Sequence, residues 1–351
     1  MVSKMPPTSD EQIRFMVNIQ RLLDEGLFTA SYKFALLLAL AVLSIEQGDD
    51  TGESLELTTD TIAEKFVQYY WRQVVPYARA GEATILQQNS DRQAAIVNLV
   101  REAHASYCGS LAAAMQDLVG WRRLVRKVGR VIREMPLWRL QRIGAEQLNF
   151  LYENQGDGVV VRLLPGIAYC FRKFHALISD LVQGAWVRYV RQQNLTVIGE
   201  TADLHEFLFG SERNSLAMVR PVLFDLQHGR CFYCNRGIVG DSAHVDHFVA
   251  WARYPVDLAH NFVLADSRCN SKKRDRLPAC EHLAAWTERN AQYGAQLGDA
   301  LGQHGIVGEL GTSNRVAQWA YAQTEAARGL TWLRADEMVP LPATWRDLIG
   351  P

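Results

Sequence analysis

CFYCNRGIVGDSAHVDHFVAWARYPVDLAHNFVLADSRCNSKKRDR, residues 231–276, decides how this chain is read. It brings three cysteines, three histidines, an Asp-His pair, two spaced asparagines and a basic cluster together. Its centre is His244-Val245-Asp246-His247, with Asn261 fourteen positions after His247 and Asn270 nine positions after that. Residues 243–249 are rich in β-branched and aromatic side chains, and residues 261–265 repeat that character. Two strands joined by a loop containing Tyr254-Pro255 are therefore expected. A helix should follow, capped by Ser267, with Asn270 in its first turn and Lys272, Lys273, Arg274 and Arg276 along it.

In such a β-β-α arrangement, Asp246 at the end of the first strand and Asn270 on the helix can meet at one cation. Oxygen ligands of this kind suit Mg²⁺ or Mn²⁺, which keep several waters and take the rest of their shell from a phosphate. His247 is placed to take a proton from the attacking water, since imidazole is the side chain best matched to that task near neutral pH. Asn261 is too far along to be an obvious ligand and is expected to tie down the loop and hold the histidine. The cations after Asn270 would face the phosphates flanking the cut. His244 shares a strand face with Asp246 and is a candidate supporting partner.

These residues resemble the HNH (ββα-metal) endonucleases. His247, Asn261 and Asn270 match the three motif positions of that family, and Asp246 matches its metal-binding acidic residue. The resemblance extends upstream, where PGIAYCFRKFH (165–175) and QGAWVRYVR (183–191) look like segments of bacterial HNH proteins, some found beside antiphage defence genes. It implies phosphodiester hydrolysis, DNA as substrate, a setting in antiphage defence and a protein partner from the same operon. The alternatives from the residues are a non-catalytic DNA- or partner-binding subunit and a ribonuclease.

Cys231-Phe-Tyr-Cys234 is a Cys-x₂-Cys knuckle, and with Cys269 it reads as a structural Zn²⁺ site. Against the HNH pattern, Cys269 stands where the last cysteine of a second pair is usual. Its expected partner, three residues earlier, is Asp266 where the family carries Cys or His. The fourth ligand is thus open among Asp266, Cys280 and His282, and three buried thiols without a metal are the plainer alternative.

The 351 residues include 37 Lys and Arg against 38 Asp and Glu, a formal charge of −1, so any nucleic-acid surface must be a local patch. The strongest such patch is residues 122–142, where eight Lys or Arg face one Glu. There Trp121, Leu124, Val125, Val128, Val131 and Ile132 form an apolar stripe while Arg122, Arg126, Arg130 and Arg133 line another side. That side is a phosphate track or a solvated face. The longest uncharged apolar run, residues 34–45, is shorter than the roughly 18–20 needed to cross a bilayer, so it reads as a buried helix and no membrane is implied. The polar start without an apolar leader and the sparse cysteines point to a reducing cytoplasm.

The fold expected is mainly α. A helical region, residues 1–198, would serve as scaffold or as a partner or nucleic-acid surface. A zinc-framed ββα-metal (HNH) nuclease module would follow at 199–285, and a helical C-terminal extension at 286–351. Within the first region, Thr61 and Glu64 suggest a capping box, residues 159–164 a strand, and residues 167–191 one long helix.

Overall fold

The computed structural model describes residues 5–26, 28–79, 82–90, 93–198, 204–210, 213–239 and 242–349. The chain is mainly helical and forms two compact units, Met1–Gly210 and Ser211–Pro351. The expected boundary at 198/199 abuts residues 199–203, which lie outside the described residues.

The first unit is built around one helix. After α1 (Ser9–Glu25), opened by a Thr8–Glu11 capping box, comes α2 (Tyr32–Gln47), in which every residue from Tyr32 to Glu46 is buried. A helix that is apolar all round can satisfy its surface only inside a protein, and α2 is wrapped accordingly. Its neighbours are α3 (Thr59–Gln73), α8 (Ile167–Lys173) and α9 (His175–Gln193). Between α2 and α3, β1 (Leu55–Thr58) pairs antiparallel with β6 (Val160–Leu163), which realises the strand expected at 159–164. The short hairpin β2 (Tyr77–Arg79) and β3 (Glu82–Thr84) leads into α4 (Ala95–Ser106) and α5 (Leu111–Gln116). The stripe helix is α6 (Leu118–Glu134), followed by α7 (Pro136–Arg139) and the two-residue strands β4 (Arg142–Ile143) and β5 (Glu146–Gln147). The unit closes with α10 (Leu204–Phe209).

Two local expectations need correction. The cap of α3 is Thr58, whose hydroxyl accepts from the Thr61 N–H, so Thr61 lies inside the helix and not at its start. The single helix over 167–191 is two, with Phe174 (φ −107°, ψ 19°) standing between α8 and α9. Neither glycine nor proline marks that break, so periodicity runs through it.

The second unit opens with α11 (Arg213–Leu226) and the Cys-x₂-Cys turn, then β7 (Ala243–His247). A 3₁₀ turn, Ala259–Asn261, leads into β8 (Phe262–Asp266), and α12 (Ser267–Lys273) follows at once. The N-cap of α12 is Asp266, one residue before the serine expected there. β7 and β8 pair antiparallel, with Asp246 opposite Val263 and His247 opposite Phe262. The rest is α13 (Cys280–Gly302), α14 (Leu310–Ala326), the hairpin β9 (Leu330–Arg334) and β10 (Glu337–Pro340), and α15 (Trp345–Leu348).

Residues beyond 285 share this core. The Trp286 ring stacks on Phe248 with centroids 5.1 Å apart, and its indole N–H donates to the His260 carbonyl at 2.7 Å. Buried Arg289 donates to the carbonyls of Phe262 and His260, both at 2.6 Å. These bonds fix the turn from which β8 starts. No helix among the described residues is long and apolar enough to cross a membrane.

Candidate active site and cysteine cluster

Successive side chains in a strand point to opposite faces, so the Asp-His pair at the end of β7 divides its work between two sides of the hairpin. Asp246 turns toward the Cys-x₂-Cys turn and α12. Its Oδ2 accepts from the Tyr233 hydroxyl at 2.6 Å and from the Lys273 ammonium at 3.0 Å, while Oδ1 has only a longer contact to Lys273, 3.3 Å. Lys273 is fully buried and also donates to the His247 carbonyl at 2.7 Å. Burial pushes its ammonium pKa down, and the facing Asp246 opposes that shift. Tyr233, buried, is pushed well above the ordinary phenol range by burial and then by the Asp246 charge, so it stays a donor.

Asn270 lies on α12 three residues before Lys273, and residues so spaced share a helix face. Asn270 is half-buried on that helix. A carboxylate and an amide oxygen are hard donors of the kind a divalent cation takes. Oδ2 is engaged by two donors, but Oδ1 retains lone pairs for a cation. Asp246 Oδ1 and the Asn270 amide oxygen are of the donor type that Mg²⁺ or Mn²⁺ takes, while the Lys273 ammonium stands within 3.3 Å of both oxygens of Asp246, where a cation would sit.

His247 points the other way. Its ring lies between Trp251 and its cross-strand partner Phe262, with centroids 5.2 and 4.8 Å away. Its Nε2 is 2.8 Å from Asp257 Oδ1. With Nε2–H donating to that carboxylate, Nδ1 is the nitrogen left to take a proton. Asn261 is buried and closes the loop on both sides, as its Oδ1 accepts from the Val249 N–H at 2.7 Å and its Nδ2 donates to the Val249 carbonyl at 2.9 Å. The loop carrying Asp257 is thus tied back to the strand end carrying His247. His244 is exposed on β7. Buried His260 bonds the Gly294 carbonyl at 2.9 Å.

The basic residues after Asn270 go to different places. Lys273 cannot face a phosphate, because it is buried against Asp246. Lys272 is exposed and pairs with Asp336 at 2.8 Å. Arg274 is exposed, and the half-buried Arg276 packs a guanidinium nitrogen near the Lys272 carbonyl.

Cys231, Cys234 and Cys269 come together, their sulfur atoms all within 4.8 Å of one another, a grouping that can hold a metal ion. Hydrogen bonding from Cys269, joined by the N–H groups of Asp266, Cys234 and Tyr233, holds the Cys231 thiol far below the ordinary thiol range. A thiol so stabilised as thiolate is the form that binds zinc. No carboxylate or imidazole among the described residues joins the three sulfurs. The Asp266 carboxylate stands outside the group and caps α12, its Oδ1 accepting from the Arg268 N–H at 2.9 Å. His282 Nε2 bonds the Leu333 carbonyl at 2.6 Å, and Cys280 stands outside the group.

The arginine helix belongs to the first unit. On α6, Trp121, Leu124, Val125, Val128 and Ile132 are buried, while Arg122, Arg126 and Arg130 are exposed, and no carboxylate among the described residues pairs with those three. They line two adjoining hollows of about 440 Å³ each.

Three supporting residues were not singled out in these roles from sequence: Asp257, Tyr233 and Lys273. Asp257 left a trace, being the sole acid between His247 and Asn261. Compared with known proteins, the chain matches no protein-family model and no curated protein.

Proposed function

We propose that the 211–351 unit is a metal-dependent HNH-type endonuclease that hydrolyses phosphodiester bonds in DNA. The observation that supports this most is the hairpin-and-helix frame, with Asp246 and His247 at the end of β7 and Asn270 on α12, which follows β8 at once. When bound at Asp246 and Asn270, the divalent cation supplies charge stabilisation for the phosphate and the leaving oxygen. His247, whose partners lie on the other side of the hairpin from those of Asp246, would take at Nδ1 the proton of a water that reaches both residues at the strand end, while Asp257 fixes the ring through Nε2. Tyr233 and Lys273 hold the Asp246 carboxylate in one orientation, and Asn261 keeps the loop closed. The three cysteines would hold Zn²⁺ and so join the first turn of the unit to α12.

The resemblance further suggests an antiphage effector acting with a partner from the same operon. Lys273 favours a second reading, in which its ammonium takes the place of the cation at Asp246 and the unit grips nucleic acid without cutting it. The test is cleavage by purified protein of supercoiled plasmid, single-stranded DNA and RNA with Mg²⁺, Mn²⁺ or EDTA. The proposal expects metal-dependent cutting of DNA that EDTA abolishes. Binding without cutting supports the second reading, and cutting confined to RNA moves the substrate class.

A further inference from the structure

The 1–210 unit buries a cation without an anion. Lys33, in the first turn of α2, is 8% exposed, and its ammonium lies 5.4 Å from the centre of the Phe28 ring. Its hydrogen bond to the Arg142 carbonyl is long, 3.4 Å, and no carboxylate among the described residues pairs with it. Burial pushes the ammonium down to about 8, and the charges of Arg139 and Arg142 push in the same direction. Half-buried Lys65 is answered by Glu46 at 2.6 Å and buried Arg172 by Asp50 at 2.7 Å, while one buried guanidinium nitrogen of Arg72 is, like Lys33, without an anion among the described residues. A buried, unanswered ammonium is costly, and two arginines beside it raise that cost.

The same lysine lines a cavity of about 340 Å³ together with Arg139 and Arg142, a volume within the range of small-molecule sites, roughly 300–1,000 Å³. The wall also includes Asn89 and apolar surface from Ala30, Met135 and Pro136. The cavity lies at the start of a sixteen-residue helix that has no side-chain cap, because the Ser31 hydroxyl is engaged with Tyr70 at 2.6 Å. The positive end of the helix dipole therefore adds to the three side-chain charges.

We propose that this cavity binds a small organic phosphate of nucleoside mono- or diphosphate size, its phosphate held by Lys33, Arg139 and Arg142. Three cations around one cavity call for a ligand with more than one negative charge, and arginine forks match phosphate oxygens. The depth of Lys33 favours a small ligand over a polymer. A nucleic-acid backbone is served by exposed cations such as Arg122, Arg126 and Arg130, whereas Lys33 is reached only by something that enters the cavity. The apolar wall at Met135 and Pro136 accommodates the uncharged body of the ligand. This inference does not depend on the nuclease reading.

Calorimetric titration of the full chain with AMP, ADP, inorganic phosphate and a short DNA duplex tests it. AMP or ADP should bind more tightly than inorganic phosphate. Lys33→Met, which keeps the volume and removes the charge, should weaken that binding at least ~10-fold, the loss expected for one charged hydrogen bond. Without ligand it should melt no lower than the wild type. Arg139→Gln, at an exposed position, should weaken binding about as much with an unchanged melt, and it serves if Lys33→Met folds poorly. Absence of binding by AMP, ADP and phosphate at millimolar concentration would overturn the proposal. So would unchanged nucleotide affinity in Arg139→Gln, or duplex binding sensitive to these residues where the nucleotides do not bind.

Discussion

Lys273 and Lys33 are both buried lysines, one in each unit, and they differ in what answers them. Lys273 meets the Asp246 carboxylate at 3.0 Å and the His247 carbonyl at 2.7 Å. Lys33 meets two arginines and a cavity. The difference runs through the polar groups around them. Near β7 they answer one another in pairs: Tyr233 with Asp246, His247 with Asp257, and Asn261 with both polar groups of the Val249 backbone. Such a network spends its hydrogen bonds on a single geometry, which is what chemistry at fixed distances needs. The cations of α6 and of the Lys33 cavity are left to whatever binds there.

The sharpest way to break this contrast is at the cysteines. Cys269→Ser should remove the metal and unfold the 211–351 unit, because binding energy at such a site is folding energy. Elemental analysis should show about one zinc per wild-type chain, the stoichiometry of a single thiolate site. A thermal melt unaffected by the substitution, or protein free of zinc, would place the order of this unit in its apolar core alone. Next in size is Asn261→Ala, which leaves a buried N–H and a buried carbonyl at Val249 unpaired and should cost about 2–5 kcal/mol. Denaturant unfolding measures that loss, and a cost near zero would mean the loop is held by other contacts.

The smallest effect on stability, and the one that sharpens the other half of the contrast, belongs to α6. Replacing Arg122, Arg126 and Arg130 together should leave the melt unchanged, since no ion pair is lost. If DNA binds this face, the slope of log affinity against log salt should become shallower by up to about three units. An unchanged slope would make the face a solvated surface.

Much of the second unit was legible because its signals are local. The Cys-x₂-Cys pair, the Asp-His pair and the two asparagines lie within one short stretch, and alternation placed β7 and β8 within two residues of their ends. What sequence hid is what depends on the closed fold. Tyr233 reads as a spacer between two cysteines, and only the packing of its turn against β7 puts its hydroxyl on Asp246. Lys273 reads as one more cation in a basic run, and only the face of α12 turned inward separates it from Lys272. Asp266 suited a ligand by spacing, yet its carboxylate caps α12 and lies outside the group of three sulfurs. In the first unit, α2 was evident from its uninterrupted apolar run, while the break at Phe174 and the cap at Thr58 carried no distinctive residue. Lys33 was invisible for a related reason: a single lysine beside an apolar run looks like a surface residue until the neighbouring helices enclose it.

The central claim is that the paired geometry at the end of β7 serves proton transfer, and His247→Ala tests it most directly. Plasmid cleavage with Mg²⁺ or Mn²⁺ and DNA binding should be measured on the same preparation. The account expects cleavage to fall at least ~100-fold, the usual scale of a general base, with binding and thermal stability retained. Cleavage by His247→Ala close to that of an active wild-type protein would contradict it.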